Sequence, residues 1–213
     1  MEYGRQMRFL FIRHGLSIAN AQGRIQGQFD SPLSEQGREQ SKALCRRLAQ
    51  EGWGISAIYT SDLSRAAETA EILASSLEVP VIPDERLSEY GFGVLTGVVW
   101  RDVEHLHPEI WRAYYERHEW GPIPGEEGDE AFHTRLTAAL ADIREGHATK
   151  DSVAVVTHGG SLGMIMAGLL GMALQRPHPF RFGNASLTVA EICARGWVLS
   201  CLNDTCHIDG HPG

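Results

Sequence analysis

Lysine is almost missing from this chain: Lys42 and Lys150 are the only two among 19 basic residues in a length of 213. An anion site must therefore be built from arginine, whose planar fork engages phosphate or carboxylate through paired hydrogen bonds. Positive charge in excess is also lacking, because 27 acidic residues bring the net charge to -8. Proteins that release counterions from nucleic-acid phosphates carry the opposite balance, so no nucleic-acid partner is expected. The four cysteines, Cys45, Cys193, Cys201 and Cys206, show neither CxxC pairing nor zinc-ribbon spacing to histidine. They read as reduced, mostly buried thiols. No run approaches the roughly 18 apolar residues that span a bilayer, and Met1 to Gln6 lack the apolar core of a secretory signal. These absences lead to the expectation of a cytoplasmic protein with no membrane partner.

What is present suffices for one ample core. With 43% hydrophobic residues, residues 1–213 are expected to form a single domain. Arg8 to Ile12 reads as a strand, followed by a polar loop running to Pro32. Ser34 has the character of an N-cap for a helix with Ala43, Leu44 and Leu48 on one face, ending before Gly52. A second unit repeats the layout, with a strand at Ile58-Tyr59-Thr60 and a helix from Leu63 to Leu73. Val79 to Ile82 is a weak extended segment interrupted by proline. Residues 98–130 differ in texture: Trp100, Trp111, Tyr114, Tyr115 and Trp120 sit in a charged, helical insertion that could pack as core, form a lid, or supply a homodimer interface. A helix from Glu130 to Glu145 follows, then the strand Val153 to Val156, a helix from Leu162 to Leu170, and a hairpin of Ser186 to Ile192 with Trp197 to Leu202. Strands alternating with helices imply a layered α/β fold.

Two of these strands end alike, one at Arg13-His14-Gly15 and the other at His158-Gly159-Gly160. If they are parallel neighbours, both imidazoles face the crevice at the carboxyl ends of the sheet, where open α/β sheets bind ligands. Arg65, in the first turn of the helix after Ser61-Asp62, belongs to the same rim. Two arginines and two histidines converging in an acidic chain reverse the local sign of charge, which favours a phosphate-sized anion. A neutral imidazole among guanidinium groups can attack phosphorus while the cations spread the charge on the equatorial oxygens, with no metal or cofactor required. The same cations lower the imidazole pKa and keep its lone pair available. A leaving alkoxide then needs a carboxylic acid, which the pattern alone does not select among 27 candidates. His207 and His211, four apart, do not by themselves make a metal site. Gly91, Gly93 and Gly97 lack the spacing of a dinucleotide fingerprint, and no glycine loop leads to a Walker lysine.

The stretch from Phe11 to Asn20, continuing from Gly23 to Gly37, resembles the histidine phosphatase superfamily, in its phosphoglycerate-mutase-like branch. Tyr59 to Ala70, Leu87 to Gly93 and Thr157 to Gly160 match in order, as do Asn184-Ala185-Ser186 and Leu202 to His207. The resemblance implies a three-layer α/β/α sandwich with a mostly parallel central sheet. It implies His14 as the phosphorylated nucleophile, Arg13, Arg65 and His158 around the phosphate, and Glu89 as proton donor and later base. Asn20, Gln26 and Gly27 fall at phosphate or substrate contacts, and Gly159 would offer a backbone N–H. The expected activity is hydrolysis of a small phosphomonoester, with a mildly acidic optimum. The alternatives are a cofactor-dependent phosphoglycerate mutase and a catalytically silent binding protein. Leu16 and Ala19 depart from the mutase pattern, and Tyr90-Gly91-Phe92-Gly93 is closer to the phosphatase form. Pro124-Gly125-Glu126-Glu127-Gly128 lacks the serine often found in this loop.

Overall fold

Phe9 to Ile12 and Val153 to Val156 are wholly shielded from solvent, and a strand buried on both faces must lie between two layers. The computed structural model describes residues 7–117, 120–148, 151–174, 176–193 and 196–208. Its elements run β1 (Met7–Arg13), α1 (Ile18–Ala21), α2 (Glu35–Glu51), β2 (Ile55–Thr60), α3 (Ser64–Leu77), β3 (Val81–Pro83), α4 (Val103–Leu106), α5 (Pro108–Arg117), α6 (Asp129–Glu145), β4 (Ser152–Thr157), α7 (Gly159–Leu169), β5 (Leu187–Cys193) and β6 (Gly196–Asp204). The six strands form one sheet in the order β3-β2-β4-β1-β5-β6. The first four of that order are parallel, β5 opposes β1, and β6 opposes β5.

Side-chain alternation along the two central strands assigns the layers. Leu10, Ile12, Ala154 and Val156 face α2 and α3 through Leu44, Leu48, Ala70 and Leu73. Phe9, Phe11, Val153 and Val155 face α6 and α7 through Phe132, Leu136, Ile143 and Ile165. Each fully buried side chain of this size stabilises the fold by about 1.5–3 kcal/mol. The result is a three-layer α/β/α sandwich with a mostly parallel sheet. No helix among the described residues is long and apolar enough to cross a membrane.

Local differences from the sequence expectation have local causes. The loop before Pro32 contains α1, a single turn capped by the Ser17 hydroxyl accepting from the Asn20 N–H at 3.0 Å, too short to show helical periodicity. Helix α3 continues past Leu73 to Leu77, where Glu78 stops it in the left-handed region at φ 53°. Helix α7 begins three residues early, at Gly159, because the glycine pair that reads as a loop forms its first turn. Strand β3 keeps Pro83 because it lies at the sheet edge and pairs with β2 alone. Of the four thiols only Cys45 and Cys193 are buried, whereas Cys201 is partly exposed and Cys206 exposed. The hairpin turn at Ala194-Arg195 lies outside the described residues.

The insertion builds its own small core. Leu95, Val103, Ile110 and Ile123 are buried, with Trp100, Trp111 and Trp120 packed against them. Closer to the site, α2 starts in direct contact with the segment after β1. A Cβ on Gly37 would lie 2.1 Å from the Leu16 carbonyl oxygen, and one on Gly15 would lie 2.4 Å from the Gly37 carbonyl oxygen. Backbone thus meets backbone, and neither side can yield as a flexible side chain would. Gly37→Ala is expected to destabilise the protein by about 1–3 kcal/mol, read as a lower urea midpoint at unchanged slope. An unshifted midpoint would contradict this close approach.

Candidate active site

His14 leaves the end of β1 with its backbone tied on both sides. Its N–H donates to the Thr157 carbonyl at 3.0 Å, and its carbonyl accepts from the Ala185 N–H at 3.1 Å and from Asn184 Nδ2 at 3.2 Å. The buried ring places Nδ1 2.7 Å from the Gly15 carbonyl oxygen. A carbonyl can only accept, so Nδ1 carries the proton and Nε2 holds the lone pair. Burial, then Arg13 and Arg65, hold the His14 pKa well below the ordinary histidine value.

The two arginines flank that ring. Arg65 is buried and donates from Nη2 to the Gly27 carbonyl at 2.6 Å, from Nη1 to the Phe29 carbonyl at 2.9 Å, and from Nε to His158 Nδ1 at 3.2 Å. Burial lowers its pKa to about 10, with Glu89 and Asp30 opposing that shift. Gly27 makes this grip attainable: at φ +51° it brings its backbone where a Cβ would lie 2.7 Å from the Tyr90 carbonyl oxygen. Arg13 donates from Nη1 to the Phe182 carbonyl, while its buried Nε has no hydrogen-bond partner. A buried guanidinium N–H without an acceptor is costly, and an anion beside His14 would supply one.

His158 occupies a different place from the one expected. It is fully buried behind His14, ring centroids 5.1 Å apart, and both its nitrogens are engaged within the protein. Because Arg65 Nε donates to Nδ1, the proton sits on Nε2, which lies 2.9 Å from Ser61 Oγ. Ser61 Oγ lies 3.0 Å from Ser88 Oγ, and Ser88 donates to Asp62 Oδ1 at 2.6 Å. This chain fixes one tautomer of His158 and makes it the acceptor that orients Arg65. Burial, followed by Arg65 and His14, holds its pKa well below the ordinary value.

Glu89 projects onto the first turn of α7. Its Oε2 accepts from the Gly160 N–H at 2.9 Å, its Oε1 from the Tyr90 N–H at 2.9 Å, and the Ser161 hydroxyl lies 3.5 Å from Oε1. A carboxylate at a helix N-terminus meets unpaired N–H groups and the favourable end of the dipole. Gly160 admits it, since a Cβ there would lie 2.5 Å from Oε1. Arg135 supports the segment from beneath, donating to the carbonyls of Arg86, Ser88 and Glu89.

These groups line a cavity of about 550 Å³, to which Arg13, His14, Asn20, Gln26, Gly27, Arg65, Glu89 and Gly159 all contribute. Gln26 accepts from the Ser17 hydroxyl at 2.8 Å, and Asn20 accepts from Asn184 Nδ2 at 3.4 Å. The sequence reading missed Asn184 as a bridge between His14 and Asn20, although its motif was in view. It also missed the far wall, where Phe92 and Trp120 meet Arg176, His178, Phe180 and Phe182. Residues 176–182 form no regular element, so periodicity offers no signal there. Glu126 and Glu127, from the loop that lacks the usual serine, bind Tyr90 and Arg135. Among the described residues no three His, Cys, Asp or Glu side chains gather as metal ligands would. His207 donates from Nε2 to the Ala185 carbonyl at 3.0 Å, and His211 lies outside the described residues.

Comparison with known proteins places this geometry in a family. Residues 9–205 match the histidine phosphatase superfamily (branch 1). A Yersinia enterocolitica protein named "Probable phosphoglycerate mutase GpmB" is 35% identical over 211 residues, 95% of each chain. The solved structure of Bacillus stearothermophilus YhfR superposes with a TM-score of 0.85 at 30% identity, covering 95% of this chain and 100% of that one. The alpha-ribazole phosphatase from Shigella flexneri superposes with a TM-score of 0.80 at 28% identity, covering 93% and 97%.

The depressed pKa values of His14 and His158 have a signed consequence. The unfolded chain takes up protons on these histidines below about pH 6.5, where the folded protein still excludes them. Their contribution to stability is therefore full above that pH and is lost as the pH falls. Imidazole NMR titration should find both rings neutral at pH 6, with thermal melts lower at pH 5.5 than at 7.5. Ordinary midpoints for both rings would contradict the buried, cation-flanked geometry.

Proposed function

The chain belongs to the histidine phosphatase superfamily, branch 1, and from that premise we propose that it is a metal-independent phosphomonoesterase acting on a small phosphorylated metabolite through a phosphohistidine on His14. The observation that carries this reading is the free Nε2 lone pair of His14, set by the Nδ1 bond to Gly15, in a cavity where a buried Arg13 N–H lacks an acceptor.

In the first step Nε2 of His14 attacks phosphorus, the P–O ester bond breaks, and Arg13 and Arg65 balance charge on the equatorial oxygens. The departing alkoxide takes a proton from the Glu89 carboxyl. Near pH 6 about half of a phosphate monoester still carries one proton, which Glu89 would relay to the leaving oxygen, and this supports a mildly acidic optimum. In the second step the Glu89 carboxylate removes a proton from water, the oxygen attacks phosphorus, and the N–P bond breaks to release phosphate and neutral His14. His158 acts behind this chemistry, by orienting Arg65.

A second reading, transfer of the phosphoryl group to a bound phosphoglycerate, draws support from the relative named as a phosphoglycerate mutase. The two differ in the acceptor. Hydrolysis predicts release of inorganic phosphate from p-nitrophenyl phosphate undiminished by EDTA, with kcat lowered at least about a thousandfold in His14→Ala. Mutase activity predicts conversion of 2- to 3-phosphoglycerate stimulated by 2,3-bisphosphoglycerate, and exceeding hydrolysis. Absence of both activities would leave a silent binding protein on the same fold.

Gly160→Ala tests the placement of Glu89 without touching any ionisable group. The added methyl displaces the carboxylate, so kcat should fall by about ten- to a hundredfold while the circular dichroism spectrum is retained. Unchanged kcat in a folded variant would remove Glu89 from the proton-transfer role.

A further inference from the structure

The cavity wall facing His14 comes from the segment between α7 and β5, and its charges are already committed. Arg176 has its side chain only 7% exposed, with its guanidinium 3.3 Å above the centre of the Tyr90 ring. It donates from Nε to Asp129 and from Nη2 to Glu126 at 3.2 Å, so two carboxylates face one guanidinium. Its Nη1 is nevertheless buried with no hydrogen-bond partner, and Nε2 of His178 beside it is in the same condition. Burial holds the His178 pKa below its ordinary value, with Asp129 opposing and Arg176 reinforcing that shift, which leaves the ring uncharged near neutrality. Arg181 is the remaining cation on this wall and lies exposed at the rim. The other surfaces there are Ile25, Phe92, Trp120, Pro177, Phe180 and Phe182.

A substrate therefore meets two distinct ends. Near His14, Arg13 presents a buried unpartnered N–H to the phosphate. Opposite, a donor is on offer from Arg176, whose own charge is offset by Asp129 and Glu126, and the other cation of this wall, Arg181, stands at the exposed rim where solvent screens it. A second anionic group placed against Arg176 would have those two carboxylates on the far side of the same guanidinium, and like charges so close repel. A neutral oxygen would satisfy Nη1 and avoid that repulsion. Aromatic walls add contact with the apolar faces of a sugar or ring.

We propose that this wall makes the protein selective for phosphomonoesters whose alcohol is uncharged, partly apolar, and bears a hydroxyl or carbonyl oxygen to accept from Arg176, against alcohols carrying a carboxylate or second phosphate. The assignment rests on the hydrolase reading above and narrows its substrate class.

The test compares racemic glycerol 3-phosphate with racemic 3-phosphoglycerate, which differ in a CH₂OH against a carboxylate, as competitors of p-nitrophenyl phosphate hydrolysis by the wild-type protein. Glycerol 3-phosphate should inhibit with a constant at least about tenfold lower. The double variant Glu126→Gln/Asp129→Asn uncovers the charge of Arg176 and should narrow or invert that ratio. Equal constants, an inverted order in the wild type, or no competition from either ester would overturn the proposal, whatever the folding of the variant. If p-nitrophenyl phosphate is not hydrolysed, the hydrolase reading fails on its own. Titration calorimetry of the unreactive protein with the same two esters then still reads the preference.

Discussion

Arg13 and Arg65 are held inside the protein by carbonyl oxygens, those of Phe182, Gly27 and Phe29, and not by ion pairs. Hydrogen bonds to carbonyls satisfy the directions of a guanidinium without cancelling its charge. Most other arginines described here are paired with Asp or Glu, Arg86, Arg135 and Arg176 among them. Arg13 and Arg65 thus bring two positive charges, with no carboxylate ion pair among the described residues, to one place in an acidic chain. The two guanidinium charges add to burial in holding the His14 pKa well below its ordinary value, and Glu89 is the counter-charge within electrostatic reach of both arginines.

Maintaining such a site requires rigid support, and the support is mostly backbone. The parallel pairing of β1 with β4 sets Arg13 opposite Thr157, which delivers His14 and His158 to the same edge. The segment after His14 is pressed against the first turn of α2 at Gly15 and Gly37, and the Gly27 backbone is pressed against Tyr90. Helix α7 contributes the Gly160 N–H of its first turn to Glu89, while Gly159 lines the cavity. Beneath it, the Ser61, Ser88 and Asp62 chain holds His158 as an acceptor, so the orientation of Arg65 depends on a path of hydroxyls leading to the surface.

Much of this was legible in the residues because it rests on short-range rules. Fully apolar runs at Phe9–Ile12 and Val153–Val156 mark strands between two layers. Ser34 is a side-chain cap, and it does accept from Gly37. Where tertiary contacts decide, the reading stops short. The Gly159-Gly160 pair has poor helical propensity, yet it opens α7, and at position 160 a larger residue would collide with Glu89. The tryptophans of the insertion left core, lid and interface open, and the structure gives them to a local core that lends Trp120 to the cavity. His158 belongs to the motif, but its motif says nothing of the two hydrogen bonds that turn it away from the cavity.

Residue patterns alone sufficed for the layered α/β architecture and for the meeting of Arg13, His14 and Arg65 at one cavity. Periodicity and strand-end chemistry are local and survive without knowledge of distant partners. It took the folded chain to show which imidazole nitrogen of His14 is free, that His158 accepts from Arg65 instead of facing the cavity, and that Glu126 and Asp129 offset the charge of Arg176. The last two rest on contacts between residues 47 to 93 positions apart, whereas the His14 tautomer is set by the carbonyl of the next residue once the fold holds the ring against it. The His158 tautomer, burial and charge balance are properties of such long-range contacts, and no local pattern encodes them.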